Sequence, residues 1–128
     1  MDPGISGIGQ IAVNCQDVDR ATAFYRDVIG LPLLFESGGM AFFDCGGVRL
    51  MLSRPSAPEH DHPASILYLR CTDIETQFRE LVERGAVELH APQLPLRWDD
   101  RELWLAFFLD TEGNTMALME ERRAGTGS

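Results

Sequence analysis

The alternation of hydrophobic and polar residues near the start of the chain predicts a strand followed by a helix. The segment "GIGQIAVNC", residues 7–15, alternates as a half-buried strand does. The next segment, "QDVDRATAFYRDVIG", has apolar residues at helical spacing, with Asp17 or Asp19 as the N-cap and Gly30 at its end. The side chains predicted to form the buried stripe of this helix are Ala21, Phe24, Tyr25 and Val28.

Three short apolar segments complete the first half and give it the element order βαβββ. They are "LLFES", "MAFFDC" and "VRLML", with a hairpin turn predicted at Gly46 and Gly47. Residues 54–64 contain several Pro residues and show no periodicity, which is typical of a linker.

The second half of the chain predicts the same element order. "SILYLRC" indicates a strand, and "TDIETQFRELVERG" indicates a helix that is capped near Asp73 and ends at Gly85. The residues of this helix that face inward are predicted to be Phe78, Leu81 and Val82. After it come a short strand, "AVELH", a loop, "APQLPLRWDD", and two long strands, "ELWLAFFLD" and "TMALMEE", joined by the turn "TEGN".

The two halves are related by an internal repeat. Residues 15–17 match residues 71–73 at an offset of 56, and residues 44–51 match residues 110–117 at an offset of 66. Similarity at this spacing indicates two copies of one supersecondary unit, each of which needs the other to cover its sheet. The predicted organisation is a single domain of residues 1–128, made of modules 7–53 and 65–121 joined by linker 54–64, with a disordered tail at 122–128.

Composition and charge predict a soluble, cytoplasmic protein that binds neither nucleic acid nor membranes. No apolar run approaches the ~20 residues that a membrane span needs, and no secretory signal is visible at the start of the sequence. The net charge of −9 repels phosphates and anionic lipid surfaces, so a ligand steered by charge would be cationic. The three cysteines have no CxxC spacing and are expected to be reduced, mostly buried thiols: Cys15, Cys45 and Cys71.

Two stretches of the sequence resemble the glyoxalase/bleomycin-resistance/dioxygenase superfamily, the vicinal-oxygen-chelate proteins. They are "QDVDRATAFYRDVIGLPL" and "LAFFLDTEGNTMALME", and the resemblance extends from about Ile8 to Glu121. It implies an α+β fold in which two βαβββ modules form a cup-shaped mixed sheet, with the helices outside and the ligand site inside.

The same resemblance implies four metal-ligand positions, one on the first and one on the last strand of each module. In this sequence they are occupied by Gln10, Met51, Ile66 and Ala117. Only Gln10 offers an oxygen donor, and a divalent metal needs several such groups converging on it. The sequence therefore predicts neither a bound metal nor another cofactor.

Strand alternation predicts which side chains accompany those positions into the cup. For "ELWLAFFLD", the helix-packed face best suits Leu103, Leu105, Phe107 and Leu109, which leaves Ala106 and its alternate neighbours inside. The predicted ligand-binding residues are Gln10, Asn14, Phe42, Arg49, Met51, Tyr68, Arg70, Glu102, Trp104 and Phe108. The alternative is that the aromatic members of this set fill the core or a dimer interface.

Histidine offers a weaker candidate for metal binding. His60 and His62 alternate in an extended segment and could form a two-ligand clip, although a solvated linker is the more frequent meaning of such a motif. His90, near the end of a short strand, is predicted to be a surface residue or loop cap.

The leading hypothesis from the sequence is a metal-free protein that binds a small, partly aromatic organic ligand in the cup. The alternative is an enzyme of the same superfamily, a lyase, isomerase or dioxygenase. It would use either non-standard metal ligands or metal-free catalysis by Tyr68, Arg70 or Glu102. No catalytic residue is assigned. A homodimer is expected, because the family resemblance implies that modules pair edge to edge, often across two chains, and open sheet edges must be paired or covered.

Overall fold

The computed structural model describes residues 4–55, 57–58 and 65–124. The chain separates into two compact units, residues 1–64 and 65–128, and each is described by itself. Each unit contains a four-stranded mixed sheet and the element order βαβββ, which confirms the predicted fold class. Within the described residues, no helix is both long and apolar enough to span a membrane.

The first unit is a sheet of strand order β1-β4-β3-β2 with one helix packed against it. Only the β1–β4 pair is parallel. Its elements are β1 Gln10–Asn14, α1 Val18–Ala23, which continues as π-helix through Phe24–Ile29, β2 Leu33–Ser37, β3 Met40–Cys45 and β4 Val48–Ser53.

The ends of α1 follow the sequence signals closely. Asp17, not Asp19, is the N-cap, and its carboxylate accepts a hydrogen bond from the backbone N–H of Arg20 at 3.0 Å. At the other end Gly30 adopts a φ of 89°, which favours glycine, and its N–H donates to the carbonyl of Tyr25. Tyr25 is fully buried and its ring lies 6.1 Å from that of Phe43, so the predicted stripe does cover the sheet.

Alternation divides the first sheet into two faces. The face that packs against α1, the helix-side face, carries Val13, Phe43, Leu50 and Leu52, all nearly inaccessible to solvent. The opposite, helix-distal face carries residues that pair across neighbouring strands: Gln10, Ala12, Asn14, Phe42, Arg49 and Met51. The predicted sharing of one face by these residues is confirmed.

The second unit has the corresponding strand order β5-β8-β7-β6, with only β5–β8 parallel. Its helix contacts β6, β7 and β8 and buries Ile74, Phe78 and Leu81. The elements are β5 Leu67–Arg70, α2 Ile74–Glu83, β6 Val87–Trp98, β7 Arg101–Leu109 and β8 Thr115–Arg123.

Strand β6 corrects the prediction of a loop over residues 91–100. It runs for 12 residues along β7 and includes Pro92 and Pro95. An edge strand tolerates proline, and the pairing accommodates these residues through three shifts of register between Glu88 and Leu96. Strand β8 also extends to Arg123, so the first residues of the predicted tail belong to the sheet, while 125–128 lie outside the described residues.

The two hairpins differ by one residue, and this difference reverses the predicted faces of β7. Asp44 pairs with Arg49 across residues 45–48, whereas Leu109 pairs with Thr115 across residues 110–114. Because side chains alternate along a strand, one extra turn residue moves every side chain of β7 to the other face relative to β8. The repeat offset of 66 therefore holds for β8 but not for β7.

As a result, three predicted ligand-binding residues lie on the helix-side face of the second sheet. They pair with residues of the same face: Glu102 with Arg122, Trp104 with Glu120 and Phe108 with Met116. Phe108 and its alternate neighbour Ala106 are both 0% exposed. The placement of Glu102, Trp104 and Phe108 inside the cup was wrong, and their face carries the hydrophobic core.

Candidate functional site

The helix-distal face of the first sheet holds an arginine in a fixed position. The Nε–H of Arg49 donates to the side-chain oxygen of Gln10 at 2.7 Å. The amide nitrogen of Gln10 in turn lies 3.7 Å from the thioether sulfur of Met51. Because β1 and β4 are parallel neighbours in register, these contacts link the two strands of this unit on which the family resemblance implies metal ligands.

Two stacked aromatic rings lie beside this arginine. The rings of Phe35 and Phe42 are 4.4 Å apart with an interplanar angle of 21°, and the guanidinium carbon of Arg49 is 5.5 Å from the centroid of Phe42. Phe42 is 8% exposed and Phe35 45% exposed, so Phe35 presents the accessible ring surface. We call Gln10, Phe35, Phe42, Arg49 and Met51 the Arg49 cluster.

The sequence did not predict Phe35 as a site residue, but its pairing with Phe42 puts it on the same face of the sheet. It lies on edge strand β2 and pairs with Phe42 across a register irregularity between Leu33 and Phe35. The short sequence "LLFES" is apolar at three consecutive positions, so alternation alone did not decide which of them shares the face of Phe42.

The helix-distal face of the second sheet carries a separate set of rings. Tyr68 meets Phe107 edge to face at 6.1 Å, and the imidazole of His90 meets the same ring at 5.9 Å. Arg70 shares this face through its pairing with Met119, as does Ala117 opposite Tyr68. Phe107 and His90 were missed because the reversed assignment of β7 put Phe107 on the other side.

The structure thus brings the predicted residues together in two groups. The first unit gathers Gln10, Asn14, Phe42, Arg49 and Met51 on one face, and the second unit gathers Tyr68 and Arg70. Whether these residues bind a ligand remains a prediction.

Trp104 belongs to an ionic cluster beside α2. Its indole N–H donates to Glu102 at 3.3 Å, and the Arg122 guanidinium lies 4.8 Å from its ring centroid. Arg122 also pairs with Glu75 at 2.6 Å and Glu120 at 2.9 Å. The indole of Trp104 is therefore engaged by charged residues of its own face.

Glu120 holds the start of α2. Its carboxylate accepts the backbone N–H of Ile74 at 3.0 Å, whereas the side chain of the N-cap residue Asp73 makes no capping hydrogen bond. Burial favours the neutral acid, but hydrogen bonds from Arg122 and the helix backbone outweigh burial and lower the pKa of Glu120. The pKa of Arg122 is raised, first by its hydrogen bond to Glu75 and then by that to Glu120.

The four positions that the family resemblance implies as metal ligands do not carry a set of hard donors in this chain. Gln10 supplies one amide oxygen, which is already bonded to Arg49, and Met51 supplies a thioether. Ile66 and Ala117 supply only hydrocarbon, and Ala117 is fully buried. Across residues 4–55, 57–58 and 65–124, no group of three His, Cys, Asp or Glu side chains converges. His60 and His62 lie outside the described residues. A hard divalent cation is therefore not matched by these donors.

We expect Cys71 to react slowly with thiol reagents in the folded protein. Burial, helped by the nearby Glu120 carboxylate, raises the pKa of this thiol to about 11. At about pH 8 its thiolate fraction is then roughly two-hundredfold below that of an ordinary cysteine with a pKa of about 8.5. Iodoacetamide labelling of Cys71, followed by peptide mass spectrometry, should accelerate by about tenfold or more when the chain is unfolded in guanidinium chloride, because the greater nucleophilicity of a high-pKa thiolate offsets part of the difference. Equal rates in the two states would contradict this expectation.

Comparison with known proteins places this chain in a family. The sequence profile of the Glyoxalase/Bleomycin resistance protein/Dioxygenase superfamily matches residues 7–118. The metallothiol transferase FosB of Lysinibacillus sphaericus is 27% identical over 112 residues, which are 86% of this chain and 79% of that protein. FosB of Staphylococcus haemolyticus is also 27% identical, over 119 residues that cover 89% and 83% of the two chains.

Solved structures show the same fold. Lactoylglutathione lyase from Agrobacterium tumefaciens superposes with a TM-score of 0.67 and 24% identity, covering 91% of this chain and 94% of that one. A superfamily member from Sphaerobacter thermophilus gives a TM-score of 0.74 and 21% identity, with 91% and 98% covered. Together with the match of the family profile to most of the sequence, this establishes that the chain belongs to the Glyoxalase/Bleomycin resistance protein/Dioxygenase superfamily.

Proposed function

We propose that this protein binds a small, partly aromatic organic molecule without a resident metal. The observation that carries the proposal is the Arg49 cluster, in which two stacked phenylalanine rings and a fixed guanidinium share one sheet face. Apolar and aromatic surface with a few placed polar groups is the usual composition of a small-molecule site. A cytoplasmic location is part of the same proposal and can be checked by cell fractionation.

The proposal predicts that the purified protein contains far less than one equivalent of zinc, nickel, iron or manganese. The reason is the donor set at the family positions, where Met51, Ile66 and Ala117 offer no oxygen or imidazole. Elemental analysis of protein purified without chelators measures this directly. A stoichiometric metal that only strong chelators remove would contradict the prediction.

An enzymatic function is the second candidate, and the relatives named metallothiol transferase favour it. In that case the chain would catalyse its reaction with a metal held by non-standard ligands. Without a metal, Tyr68 or Arg70 would serve as acid, base or charge stabiliser. A rise in melting temperature on adding one divalent metal, with no rise for the others, would support the metal-dependent form of this candidate.

We also propose that the protein is a homodimer. Among the described residues, strands β2 and β6 each pair on one side only, and they expose apolar residues such as Phe35 and Leu96. Such edges are usually paired or covered in solution. Light scattering at micromolar concentration should give twice the chain mass of 14.3 kDa, and a value equal to the chain mass would refute the dimer.

A further inference from the structure

Arg49 differs from most arginines of this acidic chain in the partners that hold it. Ion pairs with carboxylates are formed by Arg26, Arg79, Arg84, Arg97, Arg122 and Arg123. Arg49 is instead held by the neutral amide of Gln10 and the ring of Phe42, and it forms no ion pair with any carboxylate of the described residues. Its cross-strand neighbour Asp44 accepts the N–H of Gly47 within the hairpin turn.

The contacts of Arg49 fix the guanidinium but use only part of its hydrogen-bonding capacity. A guanidinium carries five N–H groups in a planar fork, and here the Nε–H is donated to Gln10. The terminal N–H groups match a carboxylate, which accepts two parallel hydrogen bonds from such a fork. Because the side chain is already held by Gln10 and Phe42, less conformational freedom is lost when an anion binds.

We propose that the Arg49 cluster recognises aromatic carboxylates, with the anionic group on the arginine and the ring against the phenylalanines. This inference rests on the proposed function and names the class of ligand. It replaces the expectation of a cationic ligand, which depended on the net charge. The predicted acidic member of the site, Glu102, is also not available to balance a cation there. Glu102 lies on the helix-side face, where it contacts Arg97 and Trp104.

The net charge of −9 does not oppose this local preference strongly. At physiological ionic strength charges are screened over about 8 Å, so distant carboxylates act weakly on a bound anion. Asp44, directly across from Arg49, is the near carboxylate that a bound anion must avoid. Arg49 is itself exposed, so the preference depends on the short, paired hydrogen bonds between guanidinium and carboxylate rather than on long-range attraction.

The test compares three ligands that share one ring system and differ in charge: 2-naphthoate, 2-naphthalenemethanol and 2-naphthylmethylammonium. Their dissociation constants are measured by titration calorimetry on the full chain. We expect 2-naphthoate to bind more tightly than the neutral alcohol, and the cation to bind most weakly. Replacing Arg49 by Gln should weaken 2-naphthoate about threefold to tenfold and change the alcohol by less than about twofold.

Two further variants serve as controls for the charge of Arg49 and for the planar shape of its guanidinium. Arg49→Lys keeps the charge but loses the planar fork, so its affinity should lie between those of the wild type and Arg49→Gln. Arg54→Gln removes an exposed arginine just beyond β4 and should leave every affinity unchanged. Unchanged thermal unfolding of Arg49→Gln would show that its loss of affinity is local.

The outcomes distinguish this inference from the function on which it rests. Equal binding of the carboxylate and the alcohol, or an equal loss of both in Arg49→Gln, would overturn the anion preference and leave aromatic binding intact. Failure of all three naphthalenes to bind the wild type would overturn both.

Discussion

Replacing Phe108 by Ala is expected to lower the free energy of unfolding by about 3–5 kcal/mol. Phe108 is 0% exposed and pairs with Met116, which is also buried, on the face that α2 covers. Truncation there removes a large apolar side chain and leaves a cavity that the surrounding strands can fill only in part. Urea denaturation of the variant and the wild type measures the difference.

Phe107 provides the matched control, because it is the same residue type one position away on the opposite face. It is half-buried beside Tyr68 and His90, so Phe107→Ala should cost less, about 1–2 kcal/mol. A larger loss of stability for Phe107→Ala than for Phe108→Ala would contradict this structure. It would mean that Phe107, as the sequence predicted, lies on the helix-packed face of β7.

Replacing Glu120 by Ala is expected to cost about 2–3 kcal/mol of unfolding free energy. The change removes the acceptor for the Ile74 N–H and one of the two carboxylates that hold Arg122. Glu120→Gln retains an oxygen that can accept the Ile74 N–H but loses the charge, so its stability should lie between those of Glu120→Ala and the wild type. Equal stability of the wild type and Glu120→Ala would show that the helix start does not depend on this carboxylate.

The pH dependence of this difference follows from the lowered pKa of Glu120. An unfolded glutamate titrates near pH ~4.3, and the folded group titrates below that value. The stabilisation is therefore fully present above about pH 5 and is lost as the pH falls through the folded pKa. The difference in unfolding free energy between the wild type and Glu120→Ala should therefore become smaller in acid. A difference that grows as the pH falls would contradict the lowered pKa of Glu120.

The first half of the sequence predicted its structure well because β1 and β4 each have one clearly apolar face. In β4, Leu50 and Leu52 alternate with Arg49 and Met51, so only one orientation buries the leucines. The Asp17 cap and the Gly30 stop are likewise local signals that need no tertiary contact.

The second half could not be predicted in the same way because β7 is apolar on both faces. Leu103, Leu105 and Phe107 are no less hydrophobic than Trp104, Ala106 and Phe108, and the turn decides which set is buried. In that turn Asp110 accepts the N–H groups of Glu112 and Asn114 at 2.8 Å, which stabilises a loop one residue longer than its counterpart. The difference is small in the sequence and reverses the whole strand.

Other features depend on contacts between residues far apart in the chain. The cap of α2 comes from Glu120, 46 residues after Ile74, and no local pattern around Asp73 indicates it. The stacking of Phe35 on Phe42 depends on the pairing register of β2 and β3. Both therefore follow from the tertiary fold.

The central claim, binding of a partly aromatic ligand without a metal, is tested most directly by a thermal-shift screen of an aromatic ligand library. The screen is run on protein treated with excess EDTA and repeated after adding zinc, nickel, iron or manganese. The account predicts that planar aromatic compounds, carboxylates foremost, raise the melting temperature equally in both conditions. A rise that appears only when a metal is restored would contradict it and favour the metalloenzyme alternative.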